Sequence, residues 1–179
     1  MPFPFSSAYV IIEKRTGVKV VELPQRKQNR LTEYDYSQPG AYFITICTQS
    51  REKILWDGVG ADTIRPQNIP LSTIGKVVEQ GILQIADYYE SVRVDKYCVM
   101  PDHIHLILRI ETGMNGRIVS APTVSTVIGA MKRWVSKQVG KPIWQKSFYD
   151  HGIRNQRDYD EIWHYIENNP LKWMLHQEK

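Results

Sequence analysis

Two periodicities of apolar residues run along the chain and predict its secondary structure. Short β-branched or alternating runs, typical of strands, cover residues 42–47, 92–100, 103–110 and 142–153. Apolar residues at helical spacing predict helices over residues 72–89, 122–139 and 155–170. Ser72 and Asn155 are placed to cap the first and the third helix, and Pro170 is expected to end the third. Residues 1–38 are mostly irregular, with strand-like stretches at 8–12 and 18–23.

The order of these elements predicts the fold class. Pro101 and Asp102 separate two strands and are favoured residues in tight turns, so the two strands should pair as an antiparallel hairpin. The order from residue 42 onward is strand, helix, strand, strand, helix, strand, helix. This order predicts an α+β protein with a ferredoxin-like antiparallel sheet and helices packed on one face.

Composition excludes several classes of protein. The 179 residues are 42% hydrophobic and 23% charged, which is typical of one globular domain with a full hydrophobic core. No apolar run approaches the roughly 20 residues that cross a bilayer, and the first residues do not resemble a signal peptide. From this we expect no membrane association. Two cysteines, Cys47 and Cys98, lie in apolar strand-like runs, so we expect free thiols and a cytoplasmic location.

Positive charge is concentrated in one part of the chain. The formal net charge is only +4, but residues 109–157 hold nine Lys or Arg and two acids, so this segment carries +7. Such a block is expected on a face that binds phosphates, although a solvated helix face gives the same pattern. On charge and position alone, the candidate DNA-binding residues are Arg26, Lys27, Arg30, Lys132, Arg133, Lys137 and Arg154.

A pair of histidines opens the second strand of the predicted hairpin. Side chains alternate across a strand, so His103 and His105 share one face, while Ile104 and Leu106 point to the core on the other. Two neighbouring imidazoles can bind one transition-metal ion, but a third ligand is needed, and an exposed pair without metal has the same sequence. Cys98 is a poor third ligand, because its apolar neighbours favour a core thiol.

The last predicted helix carries an aromatic residue outside its apolar stripe. At 100° per residue, Tyr159, Ile162, Trp163 and Ile166 form the stripe, whereas Tyr165 falls on the polar side. Tyr165 and Asn169 are four residues apart and therefore project to the same side. If this helix crosses the face that bears the histidines, Asn169 can supply an oxygen ligand and Tyr165 a hydroxyl beside the metal. An ordinary phenol is a poor nucleophile at neutral pH and needs such an ion to polarise a phosphodiester.

Four stretches of the chain resemble the REP-associated tyrosine transposases, which belong to the single-tyrosine HUH transposases. These stretches occur in the family's order, within a resemblance that extends over about residues 26–173: Tyr34–Thr45, Val99–Leu106, Ile143–Tyr159 and Tyr165–Pro170. The combination of Met-Pro-Asp-His-x-His with Tyr-Ile-x-x-Asn-Pro is highly specific. The resemblance divides the chain into an N-terminal extension of unknown role, residues 1–25, and an HUH-type domain, residues 26–179.

The resemblance implies a fold, an activity and a site. It implies an HUH fold that cleaves and transfers single-stranded DNA near hairpin-forming repeats, with a divalent ion, Mg or Mn, as cofactor. His103, His105 and Asn169 would hold the metal. Tyr165 would be the nucleophile and would form a 5′-phosphotyrosine intermediate. Whether such an enzyme acts as a monomer or as a homodimer is left open.

Two other functions fit parts of the pattern. A non-catalytic protein that binds DNA hairpins, derived from such a transposase, would keep the basic residues and bind without using Tyr165 or a metal. A structural zinc site is less favoured, because zinc in such sites prefers four Cys or His ligands and only two histidines converge here.

Overall fold

The computed structural model describes residues 9–14, 17–22, 39–57, 71–111 and 122–177. Its main sheet has four antiparallel strands in the spatial order β4-β5-β3-β6. These strands are β3 (Gly40–Cys47), β4 (Val92–Val99), β5 (His103–Ile110) and β6 (Tyr149–Ile153). The predicted β4–β5 hairpin and the α+β class are therefore confirmed. A separate two-stranded antiparallel sheet is formed by β1 (Tyr9–Lys14) and β2 (Gly17–Glu22).

In the described ranges, four α-helices accompany the sheet: α1 (Thr73–Leu83), α2 (Ile85–Tyr88), α3 (Val124–Val139) and α4 (Gln156–Gln177). The caps that the sequence predicted are present, because Ser72 accepts a hydrogen bond from the Gly75 amide and Asn155 from the Asp158 amide. The prediction of one continuous helix over 72–89 is wrong, since the chain is interrupted at Gln84, whose amide hydrogen bonds to both Gln80 and Ile82 carbonyls. No helix in the described ranges has both the length and the apolarity to span a membrane.

One face of the sheet forms the hydrophobic core together with α1 and α3. Ile44 on β3 and Ile104, Leu106 and Leu108 on β5 are fully buried there, in one cluster with the apolar stripes of both helices. The helices approach closely at Gly81, where an added Cβ would lie 2.7 Å from Val135 Cγ2. The side chains of β5 therefore divide as the alternation predicted, and the histidines lie on the other face.

Helix α4 differs from the prediction in two ways. It lies across the histidine face rather than on the side of α1 and α3, so helices cover both faces of the sheet. It also continues through Pro170 to Gln177. A proline removes one helical hydrogen bond, yet the last turns still fold because Trp173 packs on the Trp56 ring, with 5.1 Å between their centroids.

A close approach at Gly75 leads to a prediction about stability. A Cβ at this position would lie 2.0 Å from the backbone oxygen of Leu55, which cannot move easily because it also accepts the Ser72 amide. We expect Gly75→Ala to lower the free energy of unfolding by about 2–3 kcal/mol through overpacking. At Gly129, also inside a helix, the nearest contact is the end of the Arg133 side chain at 3.3 Å.

Thermal unfolding of both variants tests this expectation. Gly129→Ala should melt at or slightly above the temperature of the wild type, because alanine favours helix by up to about 1 kcal/mol. Gly75→Ala should melt about 5–10 °C lower. Equal melting temperatures for the two variants would contradict the close packing of α1 on the segment that holds Leu55.

Candidate active site

The two imidazoles of β5 face each other through their Nε2 atoms. His103 Nε2 lies 3.0 Å from His105 Nε2, so both atoms can reach one small cation. Each ring is fixed through its other nitrogen: His103 Nδ1 contacts Asp102 Oδ1 at 2.5 Å, and His105 Nδ1 contacts the Thr45 hydroxyl at 2.8 Å. This arrangement, with Nδ1 tied to an oxygen and Nε2 free to bind, is typical of metal-binding histidines.

Burial keeps both rings neutral. His105 is 4% exposed, and burial, with smaller contributions from His103 and Arg51, lowers its pKa to about 3. Burial also lowers the pKa of His103, although the Asp102 carboxylate acts in the opposite direction. A neutral imidazole keeps the lone pair that a metal ion needs. Burial raises the pKa of the neighbouring Cys98 thiol to about 12, so Cys98 behaves as the core thiol that the sequence favoured.

The turn that carries Asp102 is held rigidly from outside the hairpin. Both the amide and the hydroxyl of Thr48 donate to the Asp102 carbonyl, at 2.9 Å each. The Leu55 amide donates to the Pro101 carbonyl at 3.0 Å. The segment after β3 thus fixes the Asp102 backbone, and through it the carboxylate that orients His103.

Arg51 places a positive charge beside this pair. Ser50 and Arg51 both have positive φ, at 54° and 58°, which is strained backbone for residues other than glycine. This turn directs the guanidinium towards the site, where Arg51 Nε lies 3.4 Å from Asp102 Oδ2 and Nη1 donates to Cys47 Sγ at 2.9 Å. The Arg51 side chain remains 53% exposed, so an anion can still reach it.

Polar contacts fasten α4 to the histidine face. Asp95 Oδ2 accepts from the Tyr159 hydroxyl at 2.9 Å and from Arg109 Nε at 2.8 Å. Further towards the C-terminal end of α4, Glu167 pairs with Lys96 Nζ at 3.1 Å, and the same Nζ lies over the Trp163 ring. The helix is therefore anchored to β4 and β5 on both sides of Tyr165.

Tyr165 meets the histidine pair at the polar edge of α4. Its hydroxyl oxygen lies 3.5 Å from His105 Nε2 within the same chain. The ring packs edge-on against Phe43, with 6.0 Å between centroids, while 44% of the residue stays exposed. The position of this tyrosine outside the apolar stripe is thus explained by contact with the histidines and not by the core.

Asn169 lies one turn after Tyr165 and is half-buried. Its Nδ2 is buried and has no hydrogen-bond partner among the described residues. No group of three or more His, Cys, Asp or Glu suited to a metal occurs within the described ranges, so a third ligand beside the imidazoles would have to be of another type. The amide oxygen of Asn169 has the ligand chemistry for that role, and two imidazoles with one amide oxygen fit a divalent ion such as Mn²⁺ better than structural zinc.

The structure describes four of the seven candidate DNA-binding residues, and three of these four lie on α3. Arg26, Lys27 and Arg30 lie outside the described residues, as does the proposed boundary at residue 25. Arg133 and Lys137 are exposed on α3, in the layer opposite to α4. Lys132 Nζ instead donates to the carbonyls of Gln145 and Lys146, at 2.7 and 3.2 Å, and Arg154 is exposed just before α4.

Known proteins resemble this chain over most of its length. A protein of uncharacterised function from Haemophilus influenzae is 29% identical over 167 residues, covering 83% of this chain and 89% of that protein. The REP-associated tyrosine transposase of Escherichia coli is 25% identical over 138 residues, covering 76% and 70%. Among solved structures, a REP-associated tyrosine transposase bound to a REP hairpin shares the fold, with a TM-score of 0.58 and 24% identity over 79% of this chain and 74% of that one.

The family model for IS200-like transposases matches residues 40–169. The chain belongs to this family. The resemblance to REP-associated tyrosine transposases that the four sequence stretches predicted is confirmed. Membership of the IS200-like transposases supports a transposase-like, DNA-binding function.

The sequence did not identify three side chains that lie near the histidines of this IS200-like transposase. Asp102 was assigned only to the turn, although its position next to His103 is a signal for a supporting carboxylate. Thr45 and Arg51 gave no such signal, because only the pairing of β3 with β5 and the strained turn after β3 bring them to the site.

Proposed function

We propose that this protein is a metal-dependent endonuclease and strand transferase that acts on single-stranded DNA beside hairpin-forming repeats, through a 5′-phosphotyrosine intermediate. The observation that carries the proposal is the 3.5 Å separation of the Tyr165 hydroxyl from His105 Nε2 within one chain. A hydroxyl next to two converging neutral imidazoles has no structural function that the core requires. The similar transposase bound to a REP hairpin supports hairpin DNA as the partner.

Each residue around the histidine pair has a separate role in the proposed site. His103, His105 and Asn169 would hold the cation, with Asp102 and Thr45 fixing the rings. A bound divalent ion would draw electron density from the scissile phosphate and stabilise the charge that develops there. Arg51, exposed beside the pair, supplies a further positive charge to the phosphate. Phe43 holds the Tyr165 ring edge-on and so limits the directions in which its hydroxyl can point.

In the chemical step one phosphoester bond forms while another breaks, so their number does not change. The Tyr165 oxygen attacks phosphorus, a Tyr–O–P bond forms, and the bond from phosphorus to the 3′ oxygen breaks. The proton lost by the phenol is balanced by the proton gained by the leaving 3′ oxygen, which becomes a free 3′-OH. Attack of another 3′-OH on the phosphotyrosine reverses the step and joins DNA without ATP. Because Tyr165 and His105 meet within one chain, one protomer can supply both groups.

The test is to incubate the protein with a DNA hairpin that has single-stranded flanks, with Mn²⁺ or with a chelator. We expect a covalent protein–DNA complex that survives denaturing electrophoresis and forms only with the metal. Salt-sensitive binding with no covalent complex under any condition would favour the non-catalytic hairpin-binding protein instead.

Both cysteines of the chain are free thiols, as expected for the cytoplasmic location that we propose.

Asp102 gives a separate test of the metal site. If its carboxylate orients His103, Asp102→Asn should weaken Mn²⁺ binding by about 10–100-fold while the fold is retained. Glu111→Gln is the control, because Glu111 is also a carboxylate paired with an arginine, Arg93, but lies just beyond the end of β5 opposite to His103. Calorimetric titration with Mn²⁺ measures both, and an equal loss in the two variants would contradict a role for Asp102 in metal binding.

A further inference from the structure

A second exposed tyrosine stands on the same face as the histidine pair. Tyr149 is the first residue of β6, the edge strand of the sheet, and it is 47% exposed. Its ring lies edge-on to Phe43, with 6.4 Å between centroids, and Phe43 in turn contacts Tyr165 and stacks on His105. We call Phe43, Tyr149 and Tyr165 the aromatic wall. The proposed chemistry uses Tyr165 but leaves Tyr149 without a function.

Strand register fixes the distance of Tyr149 from the reacting groups. His105 pairs with Thr45, and Thr45 pairs with Tyr149, so the three residues form one row across β5, β3 and β6. Neighbouring strands are about 4.8 Å apart, which places the Tyr149 backbone about 10 Å from that of His105. A phosphate held at the histidine pair would therefore have the base of an adjoining nucleotide within reach of the Tyr149 ring.

The chemistry of an exposed ring beside a phosphate site points to one kind of ligand. A base in a duplex has both faces covered by its neighbours, whereas an unpaired base offers a free face to an aromatic side chain. Stacking of this kind accepts any base, because every base has a π-face. A strand edge is also open enough for a single strand to pass along it.

We propose that Tyr149 is a stacking platform for an unpaired base next to the phosphate that Tyr165 attacks. This proposal rests on the proposed function, because it takes the histidine pair as the phosphate site. The Phe43 ring packs between Tyr149 and Tyr165 and contacts both. It thereby keeps the stacking ring and the nucleophile at a fixed separation. Tyr149 is thus a binding residue for single-stranded DNA and takes no part in bond breaking.

The experiment compares three DNA probes bound to the full chain. The first is a paired hairpin with oligothymidine flanks, the second has the same flanks with the bases removed, and the third is the blunt hairpin. We expect Tyr149→Ala to weaken binding of the first probe by about 10-fold or more, as for loss of one stacked base. Tyr149→Phe, which keeps the ring, should bind like the wild type. Both variants should bind the second and third probes as the wild type does.

Tyr88→Ala is the matched control, because Tyr88 is a more exposed tyrosine, at 69%, on α2 away from the aromatic wall. It should bind all three probes normally, and thermal unfolding should show that each variant is folded. If Tyr149→Ala binds the flanked hairpin as the wild type does, or if Tyr149→Phe loses as much affinity as Tyr149→Ala, the stacking proposal is wrong. If the wild type binds none of the probes, the proposed function itself fails and this proposal fails with it.

Discussion

Replacing Tyr165 with phenylalanine should abolish the covalent protein–DNA complex. The substitution removes one oxygen atom and keeps the ring that packs against Phe43 and His105. Because that oxygen is the proposed attacking atom, we expect the yield of complex to fall by at least about 10³-fold. Denaturing electrophoresis with labelled hairpin DNA and Mn²⁺ measures the yield, and binding of the uncleaved DNA should persist.

Tyr149→Phe is the matched control for the nucleophile. Tyr149 also contacts Phe43 and is about as exposed as Tyr165, at 47% against 44%, but lies on the sheet edge. This variant should form the complex at the rate of the wild type. A complex that survives in Tyr165→Phe and disappears in Tyr149→Phe would move the nucleophile to β6. Both side chains are nearly half exposed, so neither change should lower stability by more than about 0.5 kcal/mol.

Removal of either imidazole of the pair should strongly weaken metal binding. The two Nε2 atoms are 3.0 Å apart, and a cation shared between them loses half of its nitrogen ligands when one ring is replaced. We expect His103→Ala and His105→Ala to weaken Mn²⁺ binding by at least about 100-fold, which exceeds the effect of altering a supporting residue. Calorimetric titration checks the affinity, and covalent complex formation should fall in parallel.

His164→Ala controls for the loss of a histidine as such. Its side chain is 71% exposed on α4, and its ring lies 3.7 Å from Glu167 rather than near the pair. It should bind Mn²⁺ and form the covalent complex normally. His105 is buried, so its variant must first be shown to be folded, by thermal unfolding. Normal Mn²⁺ affinity in a folded His103→Ala protein would show that the pair does not hold the metal.

Much of the fold could be predicted because its signals are local. The alternation in β5 separated the buried Ile104 and Leu106 from the histidines before any contact was known, and the structure agrees. The caps at Ser72 and Asn155 depend only on residues within the first helical turn, and both are present. The end of α4 was mispredicted, because a proline rule applied to one helix ignores the packing of Trp173 on Trp56.

The positive charge of residues 109–157 does not by itself say where in the fold its residues lie. Charge along a sequence carries no information about which layer of the fold a helix occupies. Helix α3, with Arg133 and Lys137, lies opposite to α4, and Lys132 is occupied with two backbone carbonyls. Their assignment to DNA binding stays a prediction. Arg51, which lies beside the histidines, is outside the basic segment 109–157 and could not be selected by counting charges there.

The sequence by itself determined which side chains share a face: His103 with His105 on a strand, and Tyr165 with Asn169 on a helix. Those relations follow from the repeat of a strand and of a helix, which are properties of the local backbone. Only the tertiary structure decided that the tyrosine of the second pair meets the histidines of the first. Contacts of Tyr159 and Arg109 with Asp95 hold α4 across the histidine face and place the Tyr165 hydroxyl 3.5 Å from His105. Those contacts join residues far apart in the chain, and no local pattern encodes them.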